Sequence, residues 1–306
     1  MRSPKKPNTS HSIFQRLLNH ARAKGEDFNL LLFRYGVERL LYRLSISPYA
    51  EKFILKGASL FLVWKGQNYR VTKDADLLGL GPADADHLIG VFKELCRTAS
   101  DDVDGIEFMP DTVRATPIRE EQHYGGIRVT LEGLLYQARI SLQIDIGYGD
   151  VVTPGPERIK FPTLLGASPP RLLAYSRYSM VAEKLEAMIR LGIANSRMKD
   201  FYDMWLLSRL FEFDGRTLCE AVRNTFNRRS TALPVGLPIA FTDEFRKSSQ
   251  KLTQWRAFVR NSKPENIPKD FDTVIGEVAA FLMPVVGAAR DDQIIESNWA
   301  QGGPWG

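Results

Sequence analysis

Between Lys56 and Leu80 the chain reads Lys-Gly-Ala-Ser-Leu-Phe-Leu-Val-Trp and then, after a polar loop, Arg70-Val-Thr-Lys-Asp-Ala-Asp-Leu-Leu. No other stretch constrains the fold as strongly. It predicts a small-residue turn opening a short helix over 60–64, then a strand carrying two carboxylates. Alternate side chains of a strand share a face, so Asp74 and Asp76 point the same way, with Ala75 opposite. Two carboxylates this close repel unless a cation lies between them. Mg²⁺ is the natural cation, a hard ion that takes carboxylate and phosphate oxygens. Upstream, the Gly57-Ala58-Ser59 turn offers helix N-terminal N–H groups of the kind that suit a phosphate.

Further candidates follow in chain order. Residues 138–146 alternate, with Ile140, Leu142, Ile144 and Ile146 on one face. Arg139, Ser141, Gln143 and Asp145 fall on the other, so Asp145 ends a polar row. From Tyr178 to Met188 the sequence is a strong helix former. Val181, Leu185 and Met188 make its apolar stripe, and Lys184 lies on that stripe. An inward lysine is costly unless an anion meets it, and either a triphosphate or an acidic neighbour would serve. Glu183, Glu186 and Arg190 fall on the expected outer side. The next helix opens with Lys199-Asp200-Phe201-Tyr202-Asp203. Its two acids suit a helix's first turn, or they orient Lys184 or touch a nucleotide.

These four segments, in this order, resemble the nucleotidyltransferases of DNA polymerase β type. More closely they resemble the AbiEii/AbiGii toxin nucleotidyltransferases. The resemblance covers about half the chain, and Ala58 departs from the Gly-Gly-Thr or Gly-Ser turn usual there. It implies an α+β fold: an N-terminal polymerase-β-like domain with a mixed sheet and flanking helices, then a C-terminal helical domain. It implies Asp74, Asp76 and Asp145 as ligands of one or two Mg²⁺, with Lys184 and Asp203 joining them in catalysis. Lys56, Gly57, Ala58, Ser59, Arg70, Lys184 and Asp200 would bind a nucleoside triphosphate (NTP). The acceptor implied is the 3′ end of tRNA. A bacterial toxin–antitoxin or phage-defence role would follow, with an AbiEi-like antitoxin whose action could be confined to transcription. Two rival readings stand beside it: transfer to a protein or a small molecule such as an aminoglycoside, and a module that binds nucleotide or RNA without chemistry.

Composition bears on what remains. The 306 residues are 44% hydrophobic and 25% charged, an ordinary globular balance. A net charge of +5 permits a polyanionic partner. Cys96 and Cys219 lack metal spacing and read as thiols of a reducing cytoplasm. No run of about 18 apolar residues is read, so no membrane span is expected. The polar N-terminus is not a secretory signal.

The expected division is residues 1–155 for the nucleotidyltransferase domain, 156–290 for the helical domain, and 291–306 for a disordered tail. Within it, residues 1–11 are expected to be disordered, with Ser12 capping the first helix. Arg34, Arg39 and Arg43 are expected to form a solvated stripe on a helix over 28–44. The basic tip at 227–231 is expected to be solvated, and 242–261 is expected to be one helix.

Overall fold

The computed structural model describes residues 8–72, 74–118, 125–268 and 270–306. It divides into two units. The first comprises Met1–Asn68, Thr72–Gly149 and Glu157–Ala174, and the second Tyr69–Val71, Asp150–Pro156 and Tyr175–Gly306. The expected single cut after residue 155 is therefore replaced by an interleaved division.

The first unit is built from α1 (Asn8–Lys24), α2 (Phe28–Ser45), β1 (Phe53–Lys56), α3 (Ser59–Lys65), β2 (Ala75–Gly79), α4 (Ala85–Arg97), β3 (Ile106–Ile118), β4 (Gly126–Leu135), β5 (Ala138–Tyr148), β6 (Glu157–Lys160) and β7 (Arg171–Ala174). Among the described residues the sheet has seven strands in the order β3-β4-β5-β2-β1-β7-β6. It is mixed: β2 runs parallel to β5 and β1 to β7, while the other neighbours are antiparallel. The α+β expectation holds. The segment 161–165 lies in the connection from β6 to β7, with Phe161 buried and the rest half-exposed. Strand β3 runs unbroken from Ile106 to Ile118, with its register against β4 shifted between Met109 and Arg114. Pro110 lies in that interval and has no N–H for a ladder bond.

Helix α2 packs on the sheet through Gly36, where an added Cβ would stand 3.0 Å from Leu142 Cδ2. Asp27 caps α2, accepting from Leu30 N at 2.9 Å. The solvated arginine stripe is not found. Arg39 and Arg43 are buried, at 0% and 5% exposure. Arg39 meets Glu38 at 3.1 Å and Asp102 at 3.5 Å, and Arg43 meets Asp104 at 2.7 Å. An unpaired buried charge would cost several kcal/mol, and these acids remove that cost. Asp102 and Asp104 lie about 60 residues away, beyond the reach of helical periodicity. Burial pushes the Glu38 carboxyl up to about 7, although the Arg39 charge opposes this. Helix α1 begins at Asn8, so residues 8–11 are helical and Ser12 lies inside the helix; the disorder expected for residues 1–7 falls outside the described residues.

The second unit holds α5 (Arg177–Leu191), α6 (Met198–Leu210), β8 (Phe213–Asp214), α7 (Gly215–Arg228), α8 (Asp243–Arg246), α9 (Ser249–Ser262), α10 (Phe271–Arg290) and β9 (Asn298–Trp299). Helix α6 is its centre, buried from Met198 to Ser208 except at Lys199. The single helix expected over 242–261 is broken into α8 and α9. By length and composition α10 is apolar enough to cross a membrane, which corrects the expectation that no such stretch exists. Here Val274, Ile275, Val278, Phe281 and Leu282 of α10 are core residues at 0% exposure.

The tail expected to be disordered is folded. Strand β9 pairs with β8, Trp299 Nε1 donates to Ser208 O at 2.8 Å, and Trp305 Nε1 donates to Phe281 O at 3.0 Å. Two indoles supply apolar area that a polar, glycine-rich setting conceals in the sequence.

Candidate active site

Strands β1, β2 and β5 lie side by side, and their register fixes the site. Lys56 stands opposite Asp76 across the antiparallel β1–β2 pair. Asp76 stands beside Asp145 across the parallel β2–β5 pair. Asp74, two residues before Asp76, shares its face, while Ala75 turns into the core at 2% exposure. One carboxylate oxygen from each of Asp74, Asp76 and Asp145 lies within 4.8 Å of the others. At an effective dielectric near 20, two unit charges at that distance repel by about 3–4 kcal/mol. Three half-buried carboxylates therefore make a site that gains from a cation. The donors are all hard oxygens, which fit Mg²⁺, Mn²⁺ or Ca²⁺ and not a soft metal.

Gly57 makes this arrangement possible. Its φ of +76° lies in the left-handed region, and a Cβ there would fall 2.0 Å from Asp76 Oδ2. The glycine thus clears space for a carboxylate within the protein itself. Ala58 precedes α3 and is buried at 8% exposure. Ser59 opens the seven-residue α3, and its hydroxyl donates to Lys56 O at 3.3 Å.

Arg128 is a site residue that the sequence reading missed. Its Nε and Nη2 donate to Asp145 Oδ1 and Oδ2, each at 2.8 Å. The Gln143 amide, with its oxygen turned inward, accepts from the same guanidinium at 3.1 and 3.2 Å. Those bonds to Asp145 hold the Arg128 guanidinium above its ordinary range, helped by the charges of Asp145, Asp74 and Asp76 and opposed by partial burial. The signal was the hairpin register. Arg128 faces Asp145 because β4 and β5 turn at Tyr136–Gln137. That turn carries a non-glycine residue at φ 55°, Tyr136, and none of the usual Asn-Gly marks.

The second unit contains a different cluster. Lys184 Nζ donates to Asp200 Oδ1 at 2.6 Å and to Asp203 Oδ2 at 2.9 Å. Arg70 clamps Asp203 with two bonds of 2.7 and 2.8 Å, and Arg197 reaches Asp200 at 2.8 Å. The anion that meets the inward lysine here is thus a pair of acidic neighbours. Both acids are fully buried, at 1% and 0% exposure, deeper than an acidic first turn requires. Burial alone would raise the Asp203 carboxyl, but Arg70 and Lys184 outweigh it and hold it below the usual range. Burial likewise works against the Lys184 ammonium, and the two acids outweigh that and raise its pKa.

Neighbouring charges depart from their expected exposure. Glu186 is fully buried between Arg190 at 3.0 Å and Arg229 at 2.8 Å. Arg229 also pairs with Asp150 at 2.9 Å. Glu186 does not lie on an outer face; of the 227–231 tip, Asn227, Arg228 and Ser230 are exposed as expected, while Arg229 is half-buried in these pairs.

A protein-family model described as "Nucleotidyl transferase AbiEii toxin, Type IV TA system" matches residues 39–277. That span takes in every site residue named above. Among solved structures, JHP933 from Helicobacter pylori aligns at a TM-score of 0.48 and 14% identity, over 86% of this chain and 92% of that one. A second H. pylori structure, whose assignment as a nucleotidyltransferase is provisional, aligns at 0.45 and 14%, over 83% and 91%. No curated protein matches.

Proposed function

The chain belongs to the AbiEii nucleotidyltransferase toxin family, and from that premise we propose that it transfers nucleotides from an NTP to the 3′ end of an RNA, with tRNA the acceptor. The observation that carries the reading is the convergence of Asp74, Asp76 and Asp145. A divalent ion held by these three, Mg²⁺ in the cell, would supply Lewis-acid stabilisation of the phosphoryl group and lower the pKa of an attacking hydroxyl. The protein's own residues hold the site ready. Gly57 keeps clear the volume that Asp76 occupies, and the β2–β5 register aims Asp76 and Asp145 together. Lys184, paired with Asp200 and Asp203, and Arg70 are assigned to the triphosphate on the resemblance. Lys56, Ala58 and Ser59 are assigned to nucleotide binding on the resemblance alone.

One observation favours a nucleic-acid acceptor over a protein or an antibiotic. Residues 245–264 contain no acidic residue. Arg256 and Arg260 stand four residues apart along α9, and Lys263 caps its C-terminus, all exposed. That spacing puts the two arginines on one helical face about 6 Å apart along the axis. None has an ion-pair partner among the described residues. A stripe of this kind suits a phosphate backbone.

The reading extends to a toxin of a cytoplasmic toxin–antitoxin system, with an antitoxin encoded nearby and a role in phage defence. The decisive assay incubates the protein with each labelled NTP, Mg²⁺ and total tRNA. Label should enter the tRNA with wild type and not with Asp76→Asn. Label found only in protein or in an added aminoglycoside, or nowhere, would overturn the RNA acceptor.

A further inference from the structure

The bidentate pair between Arg128 and Asp145 raises a question that the metal reading leaves open. Both oxygens of Asp145 accept from one guanidinium. A carboxylate so engaged faces a positive charge where a cation would approach, and Coulomb repulsion at this range amounts to kcal/mol. Yet the partners differ in freedom. The Asp145 side chain is 17% exposed on a central strand, while that of Arg128 is 41% exposed. A fork-to-carboxylate pair is stronger than an ordinary surface pair, but one open to solvent on one side stays screened. The arginine can therefore exchange this carboxylate for another anion, whereas the carboxylate is fixed by its strand. A released guanidinium is a planar fork of donors, and phosphate oxygens match it as well as carboxylates do.

We propose that Arg128 is a displaceable counterion of the acidic site: it occupies Asp145 in the metal-free protein, gives way to the divalent ion, and then binds the phosphates of the incoming NTP. This rests on the metal and nucleotide reading above and deepens it. Arg128 is thereby a positioning residue for Asp145 before loading and a phosphate ligand after it. Metal and triphosphate then favour each other's binding by reciprocal linkage.

The test begins with Mn²⁺ alone, titrated into the full chain and followed by electron paramagnetic resonance or calorimetry, with no nucleotide or acceptor present. Arg128→Gln should bind Mn²⁺ roughly 5- to 10-fold more tightly than wild type, because competition and repulsion are both gone. Arg128→Lys keeps the charge but not the fork, and should fall between the two. Under saturating Mn²⁺, Arg128→Gln should raise KM for the NTP by about tenfold while kcat changes less than threefold. If Arg128→Gln binds Mn²⁺ no more tightly than wild type, Arg128 is not a competing counterion and the proposal falls. Should the glutamine variant fail to fold, unchanged or weaker binding by Arg128→Lys decides the matter the same way. Asp76→Asn separates the two levels. If it leaves Mn²⁺ binding intact, the metal reading itself is wrong; if it abolishes binding while Arg128→Gln changes nothing, only the counterion role is lost.

Discussion

The two charged clusters of this protein are built on opposite accounts. In the first unit Asp74, Asp76 and Asp145 face one another, and Arg128 pairs with Asp145 within range of the charges of all three. In the second, Lys184, Arg70 and Arg197 surround Asp200 and Asp203, so every buried acid meets two cations. One cluster gathers three half-buried acids, and the other holds two fully buried acids among three cations. The contrast teaches what burial decides: removing an acid from the first should cost the metal-free fold little, whereas removing one from the second should damage it. Activity should therefore be lost with little loss of stability in the first cluster and together with stability in the second.

The largest effect that could break this comparison is Asp76→Asn. We expect nucleotide transfer to fall on the order of 10³-fold, about 4 kcal/mol of barrier. Thermal melting of the metal-free protein should show little loss of stability, because Asp76 is only half-buried. A clear drop in melting temperature would erase the distinction between the clusters. Next in size is Asp203→Asn, which leaves Arg70 and Lys184 short of their shared partner. Denaturant unfolding should show a loss of roughly 3–5 kcal/mol.

Gly57→Ala should follow. Its methyl would meet Asp76 Oδ2, and left-handed backbone costs a non-glycine residue roughly 1–2 kcal/mol. Divalent-ion affinity should fall about tenfold or more, with stability reduced by no more than the backbone cost. Equal affinity would show that Asp76 moves aside freely.

Acid sensitivity sharpens the contrast further. Asp203 and Asp200 have depressed carboxyl values in the folded state. Their contribution is thus present above the ordinary Asp value near 3.9 and is lost as pH falls below it. Lys184 is shifted upward, so its contribution holds until pH rises past the ordinary lysine value near 10.4. The stability gap between wild type and Asp203→Asn should stay level from about pH 5 to 10 and narrow toward pH 3, as read from denaturation midpoints. The smallest effect on folding is expected for Arg256→Glu with Arg260→Glu. Unfolding free energy should change by about 0.5 kcal/mol or less, while RNA affinity and its salt dependence both decline.

Much of the first cluster could be read from the chain alone. A period of two puts Asp74 and Asp76 on one face, and the same alternation puts Asp145 at the end of a polar row. Arg128 escaped because its place depends on a hairpin register set by Tyr136–Gln137, a turn without the usual residues. Arg39 and Arg43 were misjudged for a related reason. Helical spacing reports which side chains share a stripe but not that Asp102 and Asp104 will cover it. The same blindness hid the salt bridges of Glu186 and Arg229. Local pattern reveals faces, and only tertiary packing reveals what each face meets. The folded tail makes the point again: Trp299 and Trp305 earn their place through Ser208 and Phe281, which no neighbouring sequence signals.

The account's central claim is that Asp74, Asp76 and Asp145 form a divalent-cation site, and one melting experiment tests it. Wild type should gain stability as Mg²⁺ or Mn²⁺ is added and should level off at saturation, by about 2.7 kcal/mol when the ion reaches a hundred times its Kd. Asp76→Asn should show no such rise. A wild-type melting temperature that stays flat across the titration, or an equal rise in the variant, would contradict it.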